Sequence, residues 1–205
     1  MTRFSVAFIL LCLSILPLRA ETITLLALGD SLTAGLGLDA PQAFPAKLEA
    51  ALKAKGHDVV VMNAGVSGDT AVQGAARLDW SLTDEVDGVL VELGANDALR
   101  GLPVAQAEVA LDEVFAKLKA KNLPTLVLGM RAPPNLGPDY GVAFETMYPK
   151  LATKHGAALY PFFLDGVAAD ASLNQADGIH PNAQGVEEIV RRMLPSVEAL
   201  LAQMK

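Results

Sequence analysis

A three-layer α/β/α domain, with a five-stranded parallel sheet between two layers of helices, is the fold class this sequence predicts. Two observations predict it. Apolar runs of strand length alternate along the chain with longer helix-patterned stretches, the signature of strand–helix–strand crossovers. The strand runs are also near-continuously apolar and not only on every second residue, as a sheet covered on both faces requires. The 205 residues fit one domain with a sizeable core.

The first strand is expected over 22–28 (TITLLAL). A helix comes next over 45–56, with Pro45 in its first turn, Leu48 and Leu52 on one face, and Gly56 as its stop. The second strand is expected over 58–65 (DVVVMNAG), then a helix over 69–82 whose N-cap is Asp69 or Thr70, with Asp69 preferred. The third strand spans 87–94 (DGVLVELG), and Pro103 opens a long amphipathic helix to 122. The fourth strand is 124–130 and the next helix ends at His155, with Pro149 a point of kinking. A short fifth strand lies within 157–163, and a final helix, bent at Pro195, closes the chain. Right-handed crossovers then give a flavodoxin-like strand order, in which ligands bind beyond the carboxyl ends of the strands.

Residues 1–20 stand apart. Arg3 precedes an apolar run from Phe4 to Leu16, Pro17 breaks it, and Ala20 offers a small residue for cleavage. The expectation is a signal peptide over 1–20 and one domain over 21–205, placed in the periplasm or secreted, with no stable membrane insertion after cleavage. The alternative is an uncleaved N-terminal anchor. Cleavage removes the single cysteine, Cys12, so the mature core must hold without a disulfide. The formal net charge of −7 becomes more negative as Arg3 and Arg19 leave. That balance excludes nucleic acid and anionic lipid as electrostatic partners. A monomer is expected.

The rule for parallel sheets directs attention to the segment after each strand. Gly29-Asp30-Ser31 comes after the first, NAGVSGDT after the second, GAND after the third, and DGIHPN, across a loop, after the fifth. A serine hydroxyl needs a base to act as a nucleophile, and the base needs orienting. Of three histidines, His57 belongs to the amino end of the sheet and His155 ends a helix, so both read as surface residues. His180 lies at the expected rim, and Asp177, three residues earlier, can fix its tautomer. The backbone N–H groups of Ser31 and Gly68 and the Asn96 amide are candidate donors to an oxyanion. Asp30, Asn63 and Asp97 read as turn-shaping or bracing residues. Glu92, a charge in an apolar strand, needs a partner, and Arg131 is the candidate. The loop 131–141 is either a rigid connector or the wall of an acyl groove through Ala132, Pro133, Leu136 and Tyr140.

GDSL at 29–32, Gly68 within SGDT, Asn96 within GAND and DGIH at 177–180 resemble, in order and spacing, the four sequence blocks of the SGNH, or GDSL, hydrolases. The longer stretches NAGVSGDT, VELGANDALRG and ADGIHPN are similar to the bacterial periplasmic branch of thioesterase I, lysophospholipase and arylesterase. The resemblance covers nearly all of the chain after residue 20. It implies the SGNH hydrolase fold, Ser31 as nucleophile, His180 as base with Asp177 as its partner, and Ser31, Gly68 and Asn96 as the oxyanion hole. It implies no metal and no cofactor, and a small-molecule acyl ester or thioester as substrate. An acyltransferase using the same site is the first alternative. A non-catalytic lipid- or carbohydrate-binding module is the second.

Overall fold

Five parallel strands form one sheet in the order β2-β1-β3-β4-β5. The computed structural model describes residues 22–204, so the expected export signal lies outside the described residues. The strands are β1 (Ile23–Gly29), β2 (Val59–Gly65), β3 (Gly88–Glu92), β4 (Thr125–Leu128) and β5 (Ala158–Tyr160). The apolar runs form the central strands because both faces are covered: Leu25, Leu28, Val89, Leu90, Val127 and Leu128 expose no surface. Burying each such side chain contributes about 1.5–3 kcal/mol of hydrophobic stabilisation.

Eight α-helices accompany the strands among the described residues. They are α1 (Ser31–Ala34), α2 (Phe44–Ala54), α3 (Ala71–Ala76), α4 (Leu78–Ser81), α5 (Ala95–Leu99), α6 (Val104–Ala120), α7 (Pro138–His155) and α8 (Ala183–Leu201). Helix α2 packs on α8, while α6 packs on α3 and α7, which gives the two outer layers. The rings of Phe44 and Phe163 meet edge to face at 5.0 Å, tying α2 to the segment after β5. Helices α7 and α8 run on through Pro149 and Pro195. No helix of the described residues is long and apolar enough to cross a membrane.

Two local expectations are corrected. The helix expected over 69–82 is two short helices, because Arg77 leaves helical geometry and turns its side chain inward. Its N-cap is Thr70, not Asp69. Thr70 and Gln73 form a reciprocal capping box, and Asp69 is drawn away to Arg77 at 2.6 Å.

Candidate active site

The strand order reverses at β1, with β2 on one side and β3 on the other, and Ser31 is the first residue of the helix after β1. Asp30 caps that helix: its Oδ1 accepts the Leu32 N–H at 3.0 Å. Gly29 is needed just before it. A Cβ there would stand 2.0 Å from Thr33 Oγ1 and 2.7 Å from Glu92 Oε2. Ser31 itself is 8% exposed, enough for its hydroxyl to reach the surface of a cleft.

His180 reaches Ser31 from the segment between β5 and α8. That segment is held by a bridge between Asn174 and Pro181 and by the Gln175 N–H donating to the His180 carbonyl at 2.7 Å. Asn182 then caps α8. His180 Nε2 lies 2.9 Å from Ser31 Oγ, and His180 Nδ1 lies 2.7 Å from Asp177 Oδ2. The other Asp177 oxygen accepts the N–H groups of His180 and Ile179, each at 3.0 Å. These three bonds, the backbone ones foremost, hold the Asp177 carboxyl down at about 2. An imidazole donating Nδ1–H to this carboxylate presents its Nε2 lone pair to the serine hydroxyl.

Gly68 and Asn96 line the same cleft. Gly68 sits at φ +90°, a conformation that favours glycine, and its carbonyl accepts from Arg100 Nη2 at 2.8 Å. The Asn96 amide donates one N–H to Asp30 Oδ2 at 3.0 Å, which leaves its second N–H for another acceptor. Asp97 braces the neighbouring block by accepting the Ala71 N–H at 2.8 Å, and Asn63 shapes its turn through the Gly65 N–H at 2.9 Å. Arg77 ties three of these pieces together. Its guanidinium bonds Asp69, the Ala64 carbonyl and the Gly29 carbonyl. Sequence reasoning misses Arg77 and Arg100. The one signal for Arg100 is its place four residues beyond Asn96; a lone arginine in a helix pattern gives none for Arg77.

The cleft holds about 420 Å³. Met130, Ala132, Pro133, Phe162 and Leu164 line it, so an apolar chain finds apolar walls. Leu136 and Tyr140, expected in the groove, do not line it. The Tyr140 hydroxyl donates to the Leu102 carbonyl at 2.8 Å and its ring stacks on Phe144, so the residue serves packing. The expected Glu92–Arg131 pair does not form either. Glu92 points toward the β1–α1 turn, while Arg131 lies over the Phe162 ring and 4.0 Å from Glu145. His57 bonds Glu198 at 3.2 Å, away from the cleft. His155 is more enclosed than a surface residue: its side chain is 8% exposed and meets Asp112 at 2.7 Å. Among the described residues no cluster of His, Cys, Asp and Glu is arranged to hold a metal ion.

Comparison with known proteins finds relatives over most of the chain. The model of the GDSL-like Lipase/Acylhydrolase family matches residues 27–187. Esterase TesA of Pseudomonas aeruginosa is 41% identical over 192 residues, which cover 93% of this chain and 96% of that protein. Thioesterase 1/protease 1/lysophospholipase L1 of Escherichia coli K12 is 40% identical over 201 residues, covering 97% and 94%. The crystal structure of AlinE4, an SGNH-hydrolase family esterase, superposes with a TM-score of 0.75 at 46% identity, covering 89% of this chain and 98% of that one.

Proposed function

The chain belongs to the GDSL-like lipase/acylhydrolase family, and on that premise we propose that it is a serine esterase. It cleaves carboxylic esters, and with them acyl thioesters or lysophospholipids, through an acyl-enzyme intermediate. The observation that carries this reading is the 2.9 Å approach of Ser31 Oγ to His180 Nε2, with Asp177 behind the imidazole.

Ser31 Oγ bonds to the acyl carbon as its proton passes to His180 Nε2. The carbonyl electron pair moves onto oxygen. That oxyanion accepts from the backbone N–H groups of Ser31 and Gly68 and from the Asn96 amide. Each such donor is worth about 3 kcal/mol in the transition state. Asp177 steadies the imidazolium, which then gives its proton to the leaving oxygen or sulfur as the bond to the acyl carbon breaks. Water repeats the sequence on the acyl-serine and frees the acid. Neither a metal nor a cofactor enters any step.

Names of relatives such as esterase and thioesterase favour hydrolysis over transfer of the acyl group to an alcohol. Residues 1–20 act as an export signal in this reading, on the strength of Arg3 and the Phe4–Leu16 run. The enzyme then works in the periplasm or outside the cell. The test is a series of p-nitrophenyl esters of rising acyl length beside acyl-CoA and lysophospholipid, with and without an added alcohol. Free acid as the main product is expected. Transferred ester as the main product supports the acyltransferase alternative. No turnover of any substrate supports the binding module.

A further inference from the structure

Glu92, at the end of β3, is the one carboxyl group within the five strands, and the mechanism above does not use it. Its register partner on β1 is Gly29, so its side chain fills the space that the missing Cβ leaves beneath the Asp30–Ser31 turn. Glu92 Oε2 accepts the Thr33 hydroxyl at 2.8 Å and the Asp30 N–H at 3.3 Å. Its Oε1 is buried with no partner. Asp30 exposes no surface, and its two oxygens are taken by the Leu32 N–H and the Asn96 amide. Glu92 thus reaches the backbone of the residue whose carboxyl group is buried beside it.

Two adjacent buried carboxyls do not both ionise, because like charges repel and neither is hydrated. Among the described residues no lysine or arginine relieves them. Arg77 is committed to Asp69 and two carbonyls. The other titratable groups facing the pair are His180 toward the cleft and Tyr148 on α7, whose hydroxyl donates to the Leu93 carbonyl, with Asp97 on α5 near Tyr148. Burial foremost, then the Asp30 charge, push the Glu92 carboxyl well above the usual range. Burial raises Asp30 also, but the Leu32 N–H and the Asn96 amide oppose that by bonding its ionised form.

We propose that Glu92 is a positioning residue: it carries a proton and bonds it to Asp30, so that Asp30 stays a carboxylate holding the Leu32 N–H on one oxygen and the Asn96 amide on the other. One buried proton then sets both the nucleophile turn and an oxyanion donor. This rests on the roles proposed above for Ser31 and Asn96.

Glu92→Gln keeps a donor and an acceptor in the same shape, whereas Glu92→Leu removes both. Kinetics on p-nitrophenyl butyrate should show Glu92→Leu losing about tenfold to a hundredfold in kcat, with KM within about threefold of wild type, because a misplaced oxyanion donor weakens only the transition state. Glu92→Gln recovers most of that loss. Infrared spectra at neutral pH show a protonated carboxylic acid band in the wild type that Glu92→Gln lacks. This last comparison decides the matter if Glu92→Leu does not fold. Wild-type kcat in folded Glu92→Leu, equal deficits in both variants, or no Glu92-dependent acid band overturns the proposal. Ser31→Ala run alongside separates the two readings. An inactive Ser31→Ala beside an intact Glu92→Leu removes only the positioning role, while an active Ser31→Ala removes the hydrolytic reading itself.

Discussion

Arg77 Nη2 donates to the Gly29 carbonyl oxygen at 2.7 Å, across 48 residues of sequence. The same guanidinium holds the Ala64 carbonyl at 2.7 Å and Asp69 at 2.6 Å. One side chain thus joins the end of β1, the end of β2 and the segment carrying Gly68. Removing it takes a donor from both carbonyls, of which Gly29 keeps the Val66 N–H, and strands a largely buried carboxylate. Arg77→Met should destabilise the fold by about 2–4 kcal/mol, read as a lower urea midpoint at an unchanged slope. A midpoint equal to wild type contradicts this account of Arg77.

The φ of +90° at Gly68 carries the second prediction. Space is not the obstacle to a side chain there, since an added Cβ would meet only Arg100 Nη2, at 3.6 Å. The backbone is. Gly68→Ala strains the turn by about 1–3 kcal/mol and moves its N–H off the developing oxyanion. Turnover should fall by about tenfold to a hundredfold with little change in KM. Arg100→Ala, which frees the Gly68 carbonyl, should give a smaller loss of the same kind.

Asp177 separates two effects of pH. Its carboxyl is held at about 2, below its ordinary 3.8, by the amides of His180 and Ile179 and by the imidazole. A depressed carboxyl stabilises the fold at pH values above 3.8, and that contribution is lost as pH falls toward 2. Asp177 therefore stays ionised throughout the range in which an esterase is assayed. A loss of kcat/KM at mildly acid pH therefore does not come from Asp177. Asp177→Asn should then lower kcat by about two to four orders of magnitude at every pH, without restoring activity at any other pH.

Acyl length should answer to the walls of the cleft. Ala132 lines it and is half-buried. Ala132→Phe fills part of the 420 Å³ and should lower kcat/KM for a long acyl ester by about tenfold or more relative to acetyl. An unchanged ratio between the two substrates places the acyl chain elsewhere.

The central strands β1, β3 and β4 are legible in the sequence because burial on both faces leaves a nearly unbroken apolar run, and the rule that ligands lie beyond such strands picks out Ser31, Gly68, Asn96 and His180 for one rim. Pairings through space are not legible. Arg131 suits Glu92 on paper because it lies just past the adjacent strand, yet the register sets Glu92 opposite Gly29, where an absent Cβ makes room. Asp69 looks like a cap until Arg77 claims it, and a helix pattern gives no sign that its arginine turns inward. Tyr140 suits a groove by composition, but its hydroxyl finds the Leu102 carbonyl.

Turnover of a p-nitrophenyl ester by Ser31→Ala, beside wild type, tests the central claim most directly. The expected result is a folded protein with kcat lower by about three to six orders of magnitude, unlabelled by a fluorophosphonate that labels the wild type. A folded Ser31→Ala within about tenfold of wild-type kcat would contradict the account, since the nucleophile would then have to be some other group.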